Sequence, residues 1–496
     1  MDPVRNKKSE IFADSPEASR ISNGMDLHRI YKNFFIASVS RLFTAVVGLI
    51  IIGFLTRHLG QIGYGIYETI LSYLFIFTIL ADFGLHIVHV REISRHPEKE
   101  EFISGNIFTL RFISLILVII LAVIVGSFLP YSAETKTGIL IATIFVLFSS
   151  LSQILSGIFQ KYHTFYLVSF SDILTRLIQL GLVFYAIKAG FGLLAFVWIL
   201  SITSGLQFAI VFFLSRRFIK FPFTFDFSYA REVLKVSLPV AASILFTAIY
   251  IRTDALMLSL MKPASDVGIY RLAAKLLETI VFFPALLVEL TMPSFSSFAF
   301  EARHVFKIIF IKIFNILFIL AVPVVVFLTV LSHSIVLILG GQEFLSSALP
   351  LKILAFVVGL VFLNNLGGRA LIALELQRTG MWIYISGAVL NIVANLLVIP
   401  KYSYIGASFT TLITEIVVTI MMFLIIYQKT GFTAEMKRIY KPILAGLIMA
   451  LVIYKFKEFN ILVPFFLGLA VYSLVLYFIG GFTKKNIEEI LNFKGV

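Results

Sequence analysis

The chain contains no cysteine at any of its 496 positions. Disulfides, thiolate nucleophiles and cysteine-based metal sites are therefore excluded. Charge is scarce as well: Asp, Glu, Lys and Arg make up only 14% of the residues, against about 25% in a soluble globular domain. No nucleotide-binding P-loop occurs, which excludes an ATP-driven exporter acting alone. No apolar h-region follows the early cations of residues 1–32, so this stretch reads as a cytoplasmic tail rather than a signal peptide. Within it, Met25–Lys32 reads as an interfacial helix leading into the membrane.

What fills the sequence instead is apolar. Hydrophobic residues reach 59%, 52 of the residues are Phe, and the mean hydropathy is +0.99. The apolar material comes in blocks of about 20 residues, the length of a helix crossing a bilayer, and lacks the alternation of barrel strands. The expected fold is an all-α integral membrane protein. Fourteen spans are expected, near 33–56, 66–90, 106–129, 137–159, 165–187, 192–214, 236–260, 267–292, 306–331, 347–372, 380–400, 404–427, 440–455 and 461–481.

The formal charge of +14 follows from topology. With the N-terminus in the cytoplasm, inner segments hold 25 Lys and Arg residues, outer segments 7, and the spans the remaining 9. That bias satisfies the positive-inside rule with both termini inside, and no nucleic-acid partner is needed to account for it. On this topology the longest outer loop is about 332–346. It is too short for the catalytic domain of a membrane glycan polymerase or ligase, so the chain is not expected to be an enzyme.

The chain also repeats itself. Gly65-Ile66-Tyr67 follows the first span and Gly268-Ile269-Tyr270 the seventh, an offset of 203; Gly190-Phe191-Gly192-Leu193 and Tyr404-Ile405-Gly406-Ala407 open the sixth and twelfth, an offset of 214. Six spans separate each pair, so the halves run in the same direction. Parallel repeats are a transporter design with the substrate site at their interface. The expected domains are a tail 1–32, a lobe 33–215, a second lobe 231–428, two extra helices within 440–481 and a tail 482–496.

Several segments then resemble one family. LTRHLGQIGYGIYETI (55–70), ADFGLHIVHVREIS (81–94), SGIFQKYHTFYLVSFSDIL (156–174), the region 237–280 and LNIVANLLVIPKYSYIGASFTTLITE (390–415) are similar, in order, to the polysaccharide repeat-unit flippases. These belong to the superfamily that includes multidrug/cation antiporters and peptidoglycan-precursor lipid flippases. The resemblance covers about 30–480. It implies two six-helix lobes in a V around a central cavity and alternating access. It also implies a polyprenyl-phosphate- or pyrophosphate-linked glycan moved to the outer leaflet of the cell membrane. The implied partners are that lipid-linked oligosaccharide, membrane lipids and glycan polymerases or transferases, with the protein itself a monomer. A peptidoglycan-precursor flippase and a cation-coupled multidrug antiporter are the alternatives.

The family's Arg and Asp of the seventh span fall on Arg252 and Asp254, and its basic residue of the first span on Arg41. Arg252 and Asp254 are two apart and point to different helix faces. On the eighth span Arg271, Lys275, Glu278 and Glu289 share one stripe, expected to face the cavity, with Lys275 and Glu278 in reach of each other. Arg41, Arg252, Arg271 and Lys275 are thus candidate ligands for phosphate or pyrophosphate, since Arg offers a planar fork and Lys a point charge. The same cations could instead pair with Asp82, Asp254, Glu278 or Glu415 and hold helices together. Asp254, Glu278 and Glu415 are candidates for binding a coupling proton or sodium ion; no other cofactor is expected. Asp82, His86 and His89 fall at i, i+4 and i+7, but with no further ligand nearby they do not read as a metal site. Asn391 with Asn395, and Gln153 with Gln160, read as helix-joining pairs.

Overall fold

The structure, a computed structural model, describes residues 24–481 other than 221, 283, 286, 289–302 and 432–435. Glu289 and the 482–496 tail lie outside the described residues, as does most of the 1–32 tail. Fourteen α-helices and no strand occur among the described residues. They are α1 (Gly24–Asp82), α2 (Leu85–Arg95), α3 (Glu100–Phe128), α4 (Ala133–Lys161), α5 (Tyr166–Lys188), α6 (Leu193–Ser215) and α7 (Phe227–Met261). Then follow α8 (Ala264–Ile280), α9 (Arg303–Val330), α10 (Ser332–Gly340), α11 (Ala348–Ala373), α12 (Gln377–Thr430), α13 (Met436–Phe456) and α14 (Leu462–Phe478). Nine helical stretches among the described residues are long and apolar enough to cross a membrane; two of them, of 60 and 54 residues, are long enough to cross twice.

Both double-length stretches fold back at a single residue. Helix α1 turns at Gly60, whose φ of 65° lies in the left-handed region that glycine adopts freely. Helix α12 turns at Ser403 (φ 47°), held there by a hydroxyl hydrogen bond to Asp266. The first two expected spans, and the eleventh and twelfth, are therefore joined by corners rather than loops. The expected second span, 66–90, is itself interrupted by Phe83 (φ 43°) and Gly84 (φ 69°), because two consecutive left-handed residues cannot continue a helix. Elsewhere the ends carry ordinary signals. Ser132 and Asp226 accept from Thr135 N and Tyr229 N to start α4 and α7; Glu100 and Glu101 open α3, and Lys161 and Lys188 close α4 and α5.

Helices α4 and α6 pack together in the first half, α11 with α9 and α12 in the second, and α1 joins the halves by packing against α7 and α8. Helices α13 and α14 pair with each other and lie on α9, where Tyr472 Oη donates to Ile319 O at 2.8 Å. Large apolar side chains such as Leu117 and Leu451 remain exposed on the outside, as expected of a surface solvated by lipid.

The core shows where the halves meet. One cluster runs through the first half and continues into Ala255–Leu276, Ala321–Leu331, Leu351–Phe362 and Ala407 of the second. Those segments are the ends of the second-half helices nearest the corners at Gly60 and Ser403. A separate cluster, Phe306–Leu317, Leu366–Ala373 and Val418–Ile426, fills their opposite ends. The halves therefore share a core at the Gly60 face and keep separate cores away from it.

Candidate functional site: a cationic cavity closed at one face

At the Gly60 face the repeated tripeptides touch. A Cβ added to Gly65 would lie 1.7 Å from Ala264 O and 3.1 Å from Gly268 N. One added to Gly268 would lie 2.4 Å from Gln61 O and 3.2 Å from Gly65 N. Only glycine allows α1 and α8 to approach this closely. Helix α10 and the turn after it, read from sequence as an outer loop, cover the same face. Thr56 Oγ1 donates to Leu339 O at 2.8 Å, Arg57 Nη2 to Ile338 O at 2.7 Å, and Gln61 Nε2 to Glu343 O.

One turn below the glycines, Arg271 Nε donates to Glu68 Oε2 at 2.8 Å, with both side chains almost fully buried. The two residues are 203 apart, the repeat offset itself. Position four of the repeated unit is Glu in one half and Arg in the other, and the two meet across the junction. Arg271 Nη1 also reaches Glu278 Oε1 at 3.0 Å; Arg252 Nη1 lies 3.0 Å from the same oxygen, and Lys275 Nζ 3.6 Å from Glu278 Oε2. Three cations against two carboxylates leave one surplus positive charge. Arg252 Nε and Arg271 Nη2 are buried donors without a hydrogen-bond partner among the described residues.

Below this cluster lies a cavity of 580 Å³, bounded by both arms of α1, by α4, α5 and α6, and by Arg252, Lys275 and Thr279 of the second half. Arg252 also sits 4.8 Å over the Phe75 ring. Its first-half wall is mixed: Glu68, Asp172, Arg176, Gln179 and Gln207 line it among apolar side chains such as Leu49, Ile52 and Phe145.

Of the residues expected from sequence, Arg252, Arg271, Lys275 and Glu278 come together; Arg252 and Lys275 line the cavity, while Arg271 is spent in the junction. Arg41 is exposed, is not among the lining residues, and lies 5.5 Å over the Phe282 ring. Asp254 turns away from Arg252. It is buried and accepts from Asn395 Nδ2 at 2.6 Å, Thr411 Oγ1 at 2.7 Å and Tyr270 Oη at 2.8 Å. Glu415 is buried beside Asn364, whose Nδ2 donates to it at 2.7 Å. Asp82 pairs with buried Arg111 at 2.6 Å. His89 joins helices through Ser104 (3.0 Å) and Ile154 O (3.2 Å), and no metal-ligand cluster occurs among the described residues.

Sequence reasoning missed Glu68, Asp172 and Arg176. Aligning GIYE with GIYR would have found the first. The spacing 172, 176, 179 puts one polar stripe on α5 and would have found the others.

Helices turned inward on a charged cavity, apolar surfaces outside and a closed face built from repeat-related residues define a multi-pass membrane protein of the transporter class. The chain belongs to the polysaccharide biosynthesis protein family, whose pattern matches residues 30–299. It is 24% identical over 455 residues to the probable low-salt glycan biosynthesis flippase Agl15 of Haloferax volcanii, covering 90% of this chain and 93% of that one. It is 23% identical over 403 residues to the capsular polysaccharide biosynthesis protein CapF of Staphylococcus aureus, covering 78% and 97%. Among solved structures, the lipid II flippase MurJ in an inward closed conformation superimposes with a TM-score of 0.76 at 17% identity, covering 90% and 98%. The fold is that of the MurJ structure.

Proposed function

We propose that the chain is a flippase carrying a polyprenyl-phosphate- or pyrophosphate-linked oligosaccharide repeat unit from the cytoplasmic to the outer leaflet of the cell membrane by alternating access. The observation that carries this reading is the cavity: Arg176, Arg252 and Lys275 line it against the carboxylates of Glu68 and Asp172, beside hydroxyl and amide side chains such as Thr175, Gln179 and Gln207, so that cations outnumber acids on its wall. An anionic head with polar sugars suits such a wall, and a polyisoprenyl tail can stay in lipid. A cationic drug would meet like charge, which disfavours the antiporter alternative. The similarity to Agl15 and CapF supports the same substrate class. With the N-terminus inside, as the distribution of cations favours, the Gly60 face is the outer one and the separate cores flank a cytoplasmic entrance. The lobes would be 33–215 and 231–428.

For coupling, Asp254 is the strongest of the three candidates. Among the described residues it has no cation within ion-pair distance and only neutral partners, to which Asn391 and Thr410 add through Asn395. A buried carboxylate among amide and hydroxyl oxygens suits a proton or a sodium ion. Glu278 is already neutralised by three cations, and Glu415 accepts from Asn364.

The test is reconstitution in liposomes with a fluorescent polyprenyl-pyrophosphate oligosaccharide, with and without a proton or sodium gradient. Wild-type protein is expected to translocate it. Arg252→Ala should lose transport while its membrane insertion and melting temperature stay near wild type, and Asp254→Asn should lose the response to the gradient. Export of a cationic dye with no glycan transport would refute the reading.

A further inference from the structure

We propose that Arg176 binds the substrate's phosphate or pyrophosphate directly, from the cavity wall facing Arg252 and Lys275; this rests on the flippase reading above. Arg176 stands near the middle of α5 (Tyr166–Lys188) and lines the cavity. Its Nη1 donates to Gln179 Oε1 at 2.7 Å. Gln179 is neutral, and among the described residues Arg176 makes no ion pair. Asp172, one turn earlier, is engaged instead by the Gln207 amide.

The other intramembrane cations that meet at the site each make at least one ion pair. Arg252 is held by Glu278 and the Phe75 ring, Lys275 by Glu278 and Arg271 by Glu68 and Glu278. Arg111, a comparable mid-helix arginine of the same half, is paired with Asp82. Asp172 acts on Arg176 through space without forming an ion pair, so a directly bound anion would complete its neutralisation at membrane depth. The Nε and Nη2 of Arg176 have no hydrogen-bond acceptor among the described residues, which leaves the Nε–Nη2 edge of the planar fork for phosphate oxygens.

Its position also fits this role. Nη2 lies 3.6 Å from where a Cβ on Gly48 would be, and an alanine there would make ordinary contact. Arg41 precedes Gly48 by seven residues on α1, about 10 Å along a helix at 1.5 Å per residue. Arg176 on the first-half wall and Arg252 and Lys275 on the second-half wall therefore line one cavity, with Arg41 further along α1.

The experiment measures binding of geranylgeranyl pyrophosphate, inorganic pyrophosphate and geranylgeraniol to the purified full chain in detergent. Wild type should bind the prenyl pyrophosphate most tightly. Arg176→Gln should weaken both pyrophosphates at least tenfold and leave geranylgeraniol unchanged; Arg176→Lys, which keeps the charge but not the fork, should fall between. Wild-type affinity for pyrophosphates in both variants would overturn the assignment and leave the flippase reading standing. Equal binding of geranylgeraniol and its pyrophosphate by wild type would overturn both.

Discussion

Arg271→Glu is expected to abolish transport, and adding Glu68→Arg to the same chain is expected to restore part of it. The effect is electrostatic. Glu68 and Arg271 are 3% and 2% exposed and 2.8 Å apart, and breaking a buried pair costs about 3–5 kcal/mol because the remaining charge is stranded. Since every 1.4 kcal/mol is tenfold in an equilibrium, the state with the Gly60 face closed would lose about two to four orders of magnitude in population. Arg271→Glu adds repulsion, since it sets a carboxylate against both Glu68 and Glu278. The double exchange rebuilds the cross-junction pair with its polarity reversed. Recovery is expected to be incomplete, because the carboxylate introduced at position 271 would still face Glu278. Transport rates in liposomes for the two single variants and the double variant check this, and failure of the double variant to exceed Arg271→Glu would refute the pairing as the latch.

Gly65→Leu should be as damaging without altering any charge. The added Cβ alone meets the Ala264 carbonyl at 1.7 Å, and backbone cannot rotate aside as a side chain can. Overpacking costs about 1–3 kcal/mol even where side chains can adjust; here α1 and α8 must separate. The expected result is a protein that inserts and retains its helicity but transports at least a hundredfold more slowly. Gly181→Ala is the control, since nothing lies within 4 Å of that site, and it should behave as wild type. Comparable rates for Gly65→Leu and Gly181→Ala would mean that the tight crossing is not required.

The membrane fold was legible because helices in lipid must satisfy their own backbone and face hydrocarbon, which writes apolar blocks directly into the chain. The repeat of Gly-Ile-Tyr implied parallel halves, but that its two copies touch at Gly65 and Gly268 is visible only in the structure. The opposite faces of Arg252 and Asp254 followed from their spacing alone. What spacing cannot convey is which distant residue completes a contact. Arg271 reads as a cavity ligand on its own helix and becomes a latch only once Glu68 is beside it. Arg41 lies on the expected span yet projects onto Phe282 outside the lined cavity, a matter of helix rotation within the bundle. The corner at Ser403 was hidden for another reason: a serine in the left-handed region depends on its tertiary partner, Asp266.

A flippase of the proposed kind closes the Gly60 face and the opposite face alternately. With no native cysteine, spin labels can be placed without background. One pair would go at Ile62 and Gln342 on the Gly60 face, the other at Gln160 and Arg378 on the opposite face, all four exposed. Pulsed EPR distances in nanodiscs, with and without a prenyl-pyrophosphate oligosaccharide, are expected to show the first distance lengthening as the second shortens, and Arg271→Glu should lengthen the first without substrate. A Gly60-face distance that stays fixed in a preparation still translocating the glycan would contradict the account.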